Sequence, residues 1–145
     1  MRKLSILLCL VLLAGCSGKQ DDSGVPKIED HAWQMTTVQS IETEGRVIAF
    51  GPDGSSTLDD AAEMQMECSA ERGSLILTDQ TNSVTYTGTY QLDETDRQTS
   101  RYKVVLGDAE GWAVSAMTTY HDKNQTPTLI ISLGDYTLNF FPVTK

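Results

Sequence analysis

The side chains best suited to catalysis or metal binding are few and scattered in this 145-residue chain. Its two histidines, His31 and His121, lie far apart, and neither is part of a metal-ligand motif. No Gly-x-Ser-x-Gly nucleophile motif occurs. The acidic groups at Asp53–Asp60 and Asp93–Asp96 lack the spacing of a calcium loop. The sequence therefore predicts a protein that is not an enzyme, with no catalytic residue, metal site or cofactor.

Cys68 is the one cysteine within the folded part of the chain that we predict. A cysteine beside a distant histidine suggests a thiol nucleophile, but Cys68 alternates with Met64 and Met66 on the apolar side of its segment. A cysteine in such a position usually packs as a small hydrophobic side chain. We therefore predict a buried structural thiol, with a reactive thiol as the alternative.

The first sixteen residues have the order of charge and hydropathy found in export signals. Arg2 and Lys3 precede an apolar run, Leu4–Leu13, which is shorter than the roughly 20 residues of a membrane-spanning helix. The segment Leu13-Ala14-Gly15-Cys16 resembles the bacterial lipobox residue for residue. The resemblance implies a type II signal peptide that is removed before Cys16, and a diacylglyceryl group on the Cys16 sulfur.

This resemblance implies a lipoprotein on the extracytoplasmic face of the cell membrane or outer membrane, anchored by acyl chains of the palmitate type. Loss of Arg2 and Lys3 would change the net charge from −9 to −11. Such an acidic domain lacks the basic surface that nucleic acids require and is repelled by anionic lipid, so the acyl chains alone are expected to hold it. Cys68 would be the only remaining thiol, which excludes an internal disulfide. We expect a monomer.

Composition divides the mature chain into a tether and a domain. The polar stretch Ser17–Asp30 contains Gly and Pro without apolar periodicity, which predicts a flexible tether. The predicted organisation is a signal peptide at 1–15, a lipidated cysteine and tether at 16–30, and a folded domain at 31–145. From His31 onward apolar and polar residues alternate, as in half-buried strands. The alternating runs are Val84–Leu92, Tyr102–Leu106, Trp112–Tyr120, Leu129–Leu133 and Tyr136–Phe140. Turns are predicted at Arg72–Gly73 and Gly134–Asp135, and a hairpin loop at Asp108–Gly111.

The segment Leu58–Arg72 fits either a helix or a strand. A helix would place acidic residues four apart on one face, at a cost of about 0.2–0.5 kcal/mol per pair. A strand would separate the apolar side chains cleanly from the acidic ones. We predict a short helical turn at Leu58–Ala62 followed by a strand that ends at Glu71.

The predicted elements give an all-β domain of about eight or nine antiparallel strands in an up-and-down meander. Closure into a barrel removes exposed strand edges, and a β-sandwich is the alternative. An early Trp33, the Gly88-Thr89-Tyr90 strand and a final strand pair at Leu129–Phe141 resemble the small lipocalin-like barrels of bacterial lipoproteins. The resemblance implies a lipocalin-like barrel over residues 31–145.

Aromatic side chains on the predicted inward faces carry the functional hypothesis. Tyr86, Tyr90, Trp112 and Tyr120 are predicted to border a barrel cavity that binds a small apolar or aromatic ligand. Gly88 and Ala116 would leave room for the ligand, although the aromatic side chains alone could instead fill the barrel. The alternative function is an envelope protein-binding or inhibitor-like module that acts through the loops Thr43–Gly45, Gly51–Ala62 and Glu94–Arg101.

Overall fold

The computed structural model describes residues 24–40, 47–49 and 65–143. The described residues form nine strands: β1 Ala32–Ser40, β2 Val47–Ala49, β3 Met66–Glu71, β4 Ser74–Asp79, β5 Val84–Thr95, β6 Thr99–Leu106, β7 Ala109–Thr119, β8 Gln125–Leu133 and β9 Tyr136–Val143. The alternation seen in the sequence thus produces strands. Within β3, Met66, Cys68 and Ala70 are buried while their neighbours are exposed, which confirms a strand up to Glu71. The helical turn predicted at Leu58–Ala62 lies outside the described residues.

Antiparallel pairing closes the sheet into a barrel. Each strand from β3 to β9 pairs with the next, and β1 pairs with both β3 and β9. The short β2 pairs with the last part of β1, where Thr37 lies opposite Ala49. The predicted all-β, up-and-down barrel is therefore confirmed. The sandwich alternative is wrong, because the β1–β9 ladder joins the two ends of the sheet.

Tight turns set the register between neighbouring strands. Arg72 and Gly73 have φ of 51° and 83°, Gly107 has 60° and Gly134 has 54°, all in the left-handed region that favours glycine. The turns predicted at Arg72–Gly73 and Gly134–Asp135 are confirmed. The β6–β7 turn lies at Gly107–Asp108, earlier than the predicted loop at Asp108–Gly111, so that Leu106 pairs with Ala109.

One continuous apolar core occupies the barrel. Among its fully buried side chains are Trp33, Met35, Leu75, Leu129 and Phe140. Small side chains lie among these large ones, since Ala113 and Ser115 on β7 are also fully buried. This mixture of large and small side chains is how a narrow barrel is filled to normal packing density. Without a disulfide among the described residues, this core is the main source of stability.

A segment before β1, Gly24–Asp30, packs into one end of the barrel, and we call it the closing segment. Ile28 is fully buried and Val25 is 9% exposed. The Ile28 N–H donates to the Tyr102 hydroxyl at 3.2 Å, and the Trp33 indole N–H donates to the Ile28 carbonyl at 2.7 Å. These residues were predicted to belong to a flexible tether. That boundary is corrected here, because the ordered domain includes Gly24–Asp30.

The two ends of the barrel therefore differ. The closed end contains the closing segment, the start of β1 and the turns at residues 72–73, 96–98 and 120–124. The far end contains the turns at residues 80–83, 107–108 and 134–135. The strands run between these two ends, and their side chains point alternately into and out of the barrel. Each aromatic residue is therefore assigned to the inner or outer face and to a position between the two ends.

Candidate functional site

Trp112 lies on the outer surface of the barrel, not inside it. It pairs with Lys103, whereas its neighbour Ala113 pairs with the buried Tyr102 and is itself fully buried. The indole is 42% exposed. The predicted inward placement of Trp112 is therefore wrong. The turn at Gly107–Asp108 fixes this register, and a register change of one residue moves every side chain to the opposite face.

The other three predicted ligand-binding residues lie in different parts of the molecule. Tyr90 is buried near the closed end, where its ring packs edge-to-face with that of Tyr102 at a centroid distance of 5.8 Å. Tyr86 lies opposite Leu77 on the inward face near the far end, but it is 46% exposed. Tyr120 follows β7 at the closed end, is also exposed, and has its ring centroid 5.9 Å from that of Phe141. The four aromatic residues therefore do not share one surface.

The two small residues that were expected to leave room in the barrel do not do so. A Cβ atom on Gly88 would collide with the Val105 carbonyl oxygen, so this glycine marks a close approach of two backbones. Ala116 lies in the same outward phase of β7 as Trp112 and pairs with Thr99 and Thr128. Neither residue borders free space inside the barrel.

The outward side chains around Trp112 form the best-defined candidate site, which we call the Trp112 face. Three strands contribute exposed or half-buried apolar groups to it: Val105 on β6, Trp112 and Val114 on β7, and Ile130 on β8. Thr89, Gln91, Lys103 and Glu110 join Val105 and Trp112 in lining an open groove of about 710 Å³. An apolar centre with a polar and charged rim is the usual composition of a binding surface.

Two cations are held against the Trp112 indole. The Arg101 guanidinium carbon lies 4.9 Å from the ring centroid and the Lys103 ammonium nitrogen lies 5.9 Å from it, within the range of cation–π contacts. Asp93 accepts a 2.7 Å hydrogen bond from Arg101 and lies 3.3 Å from Lys103. The hydrogen bond from Arg101 lowers the pKa of Asp93 below its ordinary value. Asp93 therefore orients the cations that border the ring.

The cysteine and the two histidines of the described residues lie in different environments. Burial raises the pKa of Cys68 to about 12, and the residue is 1% exposed, which agrees with the predicted structural thiol. His31 packs edge-on against Trp33 at 5.1 Å, and His121 is exposed in a turn. Within the described ranges, no three His, Cys, Asp or Glu side chains are grouped to hold a metal ion.

Several predicted features lie outside the described residues, namely Cys16 and the loops Thr43–Gly45 and Gly51–Ala62. The third predicted loop, Glu94–Arg101, is described and is shorter than predicted, because its two ends are paired residues of β5 and β6. Only residues 96–98 form the turn, in which Asp96 accepts hydrogen bonds from the backbone N–H groups of Gln98 and Thr99. Those bonds lower the pKa of Asp96. The closing segment was not predicted from the sequence, in which its signal is the presence of the apolar Val25, Pro26 and Ile28 within a polar stretch.

Comparison of the chain with known protein families, with curated proteins and with solved structures finds no match. The functional conclusion therefore depends on the geometry of this molecule. In the part of the chain that the structure describes, no helix is long and apolar enough to cross a membrane.

Proposed function

We propose that this protein is a lipid-anchored, extracytoplasmic binding module without catalytic activity, and that its partner is another envelope protein bound at the Trp112 face. One observation supports this proposal above the others: the barrel presents an exposed tryptophan outward, beside two oriented cations, while a buried apolar core occupies its interior. A packed barrel is a rigid scaffold, and a rigid scaffold presents an outer surface without a large entropic cost on binding.

The composition of the Trp112 face favours a protein partner. Tryptophan and arginine are enriched among the residues that dominate binding energy in protein interfaces, and here Arg101 lies directly beside Trp112. Val105 and Ile130 are 41% and 40% exposed, so apolar area extends to both sides of the indole. Ion pairs with Asp93 hold the cations in place before binding, which reduces the side-chain entropy that an interface would lose.

Site-specific photo-crosslinking in intact cells tests this proposal. A photoreactive amino acid at Lys103 or Ile130, beside Trp112, should give one discrete adduct whose partner is identified by mass spectrometry. The same amino acid at Thr87 is the control, because this exposed position on β5 lies outside the groove. The adduct should disappear in a Trp112→Ala background. Equal crosslinking from Thr87, or an adduct unaffected by Trp112→Ala, would contradict the proposal.

A small apolar ligand at the far end is the second candidate function. The observation that favours it is Tyr86, which shares the inward phase of Leu77 and yet is 46% exposed. An aromatic side chain in that position offers a ring face and a hydroxyl to a ligand. Native mass spectrometry with envelope lipids and small aromatic compounds would detect such binding. Retention that is lost in Tyr86→Ala and kept in Trp112→Ala would favour this function over the protein partner.

A further inference from the structure

We infer that the barrel stands on the membrane with its closed end toward the lipid headgroups, so that the far end points away from the bilayer. The inference rests on the lipid anchor of the proposed function. The surface that would face the headgroups is the closed end, which consists of the closing segment, the start of β1 and three turns. The occupant of this surface is an anionic lipid bilayer.

The length of chain between the anchor and the barrel supports this orientation. Cys16 is followed by seven residues before Gly24, the first residue of the closing segment. Eight residue steps reach at most about 28 Å when fully extended, and a flexible chain of that length spans roughly 16 Å on average. A nine-residue strand such as β1 is itself about 30 Å long. Turning the far end to the membrane would therefore require the tether to span a distance close to its fully extended length.

Hydrogen bonds fix the place where the tether enters the barrel. The Ser115 hydroxyl donates to the Pro26 carbonyl, and the Ile28 backbone is bound at both its N–H and its C=O. Because Ile28 is fully buried in the core, the entry point cannot slide along the barrel without loss of packing. The short tether therefore constrains one end of the molecule rather than its centre.

The distribution of charge along the barrel agrees with the same orientation. The cations of the described residues all lie in the closing segment, in the closed-end turns or in the first five residues of β6: Lys27, Arg72, Arg97, Arg101, Lys103 and Lys123. Seven carboxylates accompany these six cations, at Glu29, Asp30, Glu71, Asp93, Glu94, Asp96 and Asp122, so the described charges of the closed end are close to balance. At the far end the exposed charges of the described residues are carboxylates alone, at Asp108, Glu110 and Asp135.

Electrostatic screening makes this local distribution more important than the net charge. Potentials decay over about 8 Å at physiological ionic strength, so a bilayer acts on the nearest end of the barrel and hardly on the other. The net charge of −11 expected for the mature chain predicts repulsion of the whole domain. Among the described residues the charges are separated along the barrel, so the far end, whose described charges are carboxylates, is repelled more strongly than the closed end. Exposed Tyr120 and Val143 at the closed end also suit a headgroup interface.

Energy transfer from the protein to the membrane tests the orientation. The full-length lipidated protein is reconstituted into vesicles of phosphatidylcholine and phosphatidylglycerol that carry a headgroup-attached acceptor dye. A donor dye is attached to Gln98→Cys at the closed end or to Asp135→Cys at the far end. Cys68 is buried and does not compete for the dye. Transfer from the Gln98→Cys position should be several-fold stronger, and equal transfer or a reversed order would overturn the orientation.

Two controls separate the parts of this inference. Flotation with the vesicles tests the anchor. If the full-length chain and Cys16→Ala both fail to float, the proposed lipoprotein function fails. If the full-length chain floats but energy transfer is equal from the two dye positions, only the orientation is overturned. The double variant Lys27→Glu, Arg97→Glu tests the electrostatic part. It should reduce the contrast between the two dye positions on anionic vesicles, and an unchanged contrast would overturn the contribution of charge.

Discussion

Gly88 and Gly111 show how single residues allow neighbouring strands to approach. A Cβ atom on Gly88 would collide with the Val105 carbonyl oxygen, and one on Gly111 would collide with the Ser132 carbonyl oxygen. Backbone atoms cannot move aside as the end of a flexible side chain can. Each glycine is therefore required by the pairing of its strand with the next one.

We expect Gly88→Ala and Gly111→Ala each to lower the free energy of unfolding by about 1–3 kcal/mol, because the added methyl group overpacks a close backbone contact. Urea denaturation followed by circular dichroism measures the loss. Thr89→Ala is the matched control on the exposed face of β5 and should change stability by less than about 0.5 kcal/mol. Wild-type stability in both glycine variants would show that the strands separate more easily than the structure indicates.

Cys68 makes stability depend on alkaline pH. Its pKa is raised to about 12 in the folded chain, because burial disfavours the thiolate, while the unfolded thiol ionises near 9. Between these values the unfolded state binds fewer protons than the folded state, so stability decreases as pH rises. The slope due to Cys68 should approach about 1.4 kcal/mol per pH unit and be absent in Cys68→Ala. Thiol reagents should label native Cys68 only as fast as the protein unfolds, and rapid native labelling would contradict its burial.

At the scale of elements, the phase of each strand determines whether its tryptophan lies in the core. Trp33 on β1 is fully buried, whereas Trp112 on β7 faces out. Trp33→Ala should therefore cost about 3–5 kcal/mol of stability, and Trp112→Ala should cost far less. Urea titration distinguishes the two variants, and collisional quenching should be stronger for Trp112 than for Trp33. Similar losses from both substitutions would contradict the register of β6 and β7.

The closing segment is a second element whose contribution can be measured. Ile28→Ala removes a fully buried side chain and should cost about 2–5 kcal/mol. Tyr102→Phe leaves the Ile28 N–H without its acceptor and should cost about 1–3 kcal/mol. Lys27→Ala is the exposed control within the same segment. A chain that begins at His31 should be less stable than one that begins at Gly24, and equal stability would show that the segment adds nothing.

At the scale of the whole molecule, the proposed lipid anchor at Cys16 would determine where the barrel works. Intact-mass analysis of membrane-extracted protein should show loss of residues 1–15 and added acyl mass on Cys16. In Cys16→Ala the protein should remain unprocessed or leave the membrane fraction. An unchanged mature product from this variant would reject the lipoprotein assignment, while the fold and the Trp112 face would remain as described.

Much of the architecture could be predicted from local sequence. Alternation between apolar and polar residues in β3, and in parts of β6, β8 and β9, identified strands because side chains of a strand point to opposite faces in turn. Glycine-containing turns at Arg72–Gly73 and Gly134–Asp135 joined them with too few residues for anything but antiparallel neighbours. The burial of Cys68 followed from the same alternation.

Only the tertiary structure decided the phase of β7 and the place of the closing segment. A run that alternates Trp112 with Ala113 has two possible phases, and hydrophobicity favoured the wrong one. The register set by Gly107–Asp108 places the small side chains of Ala113 and Ser115 inward, in a core that already contains Trp33, Tyr102 and Phe140. Ile28 is likewise buried because the barrel end has space for it. Such complementarity is a property of the assembled barrel and has no local sequence pattern.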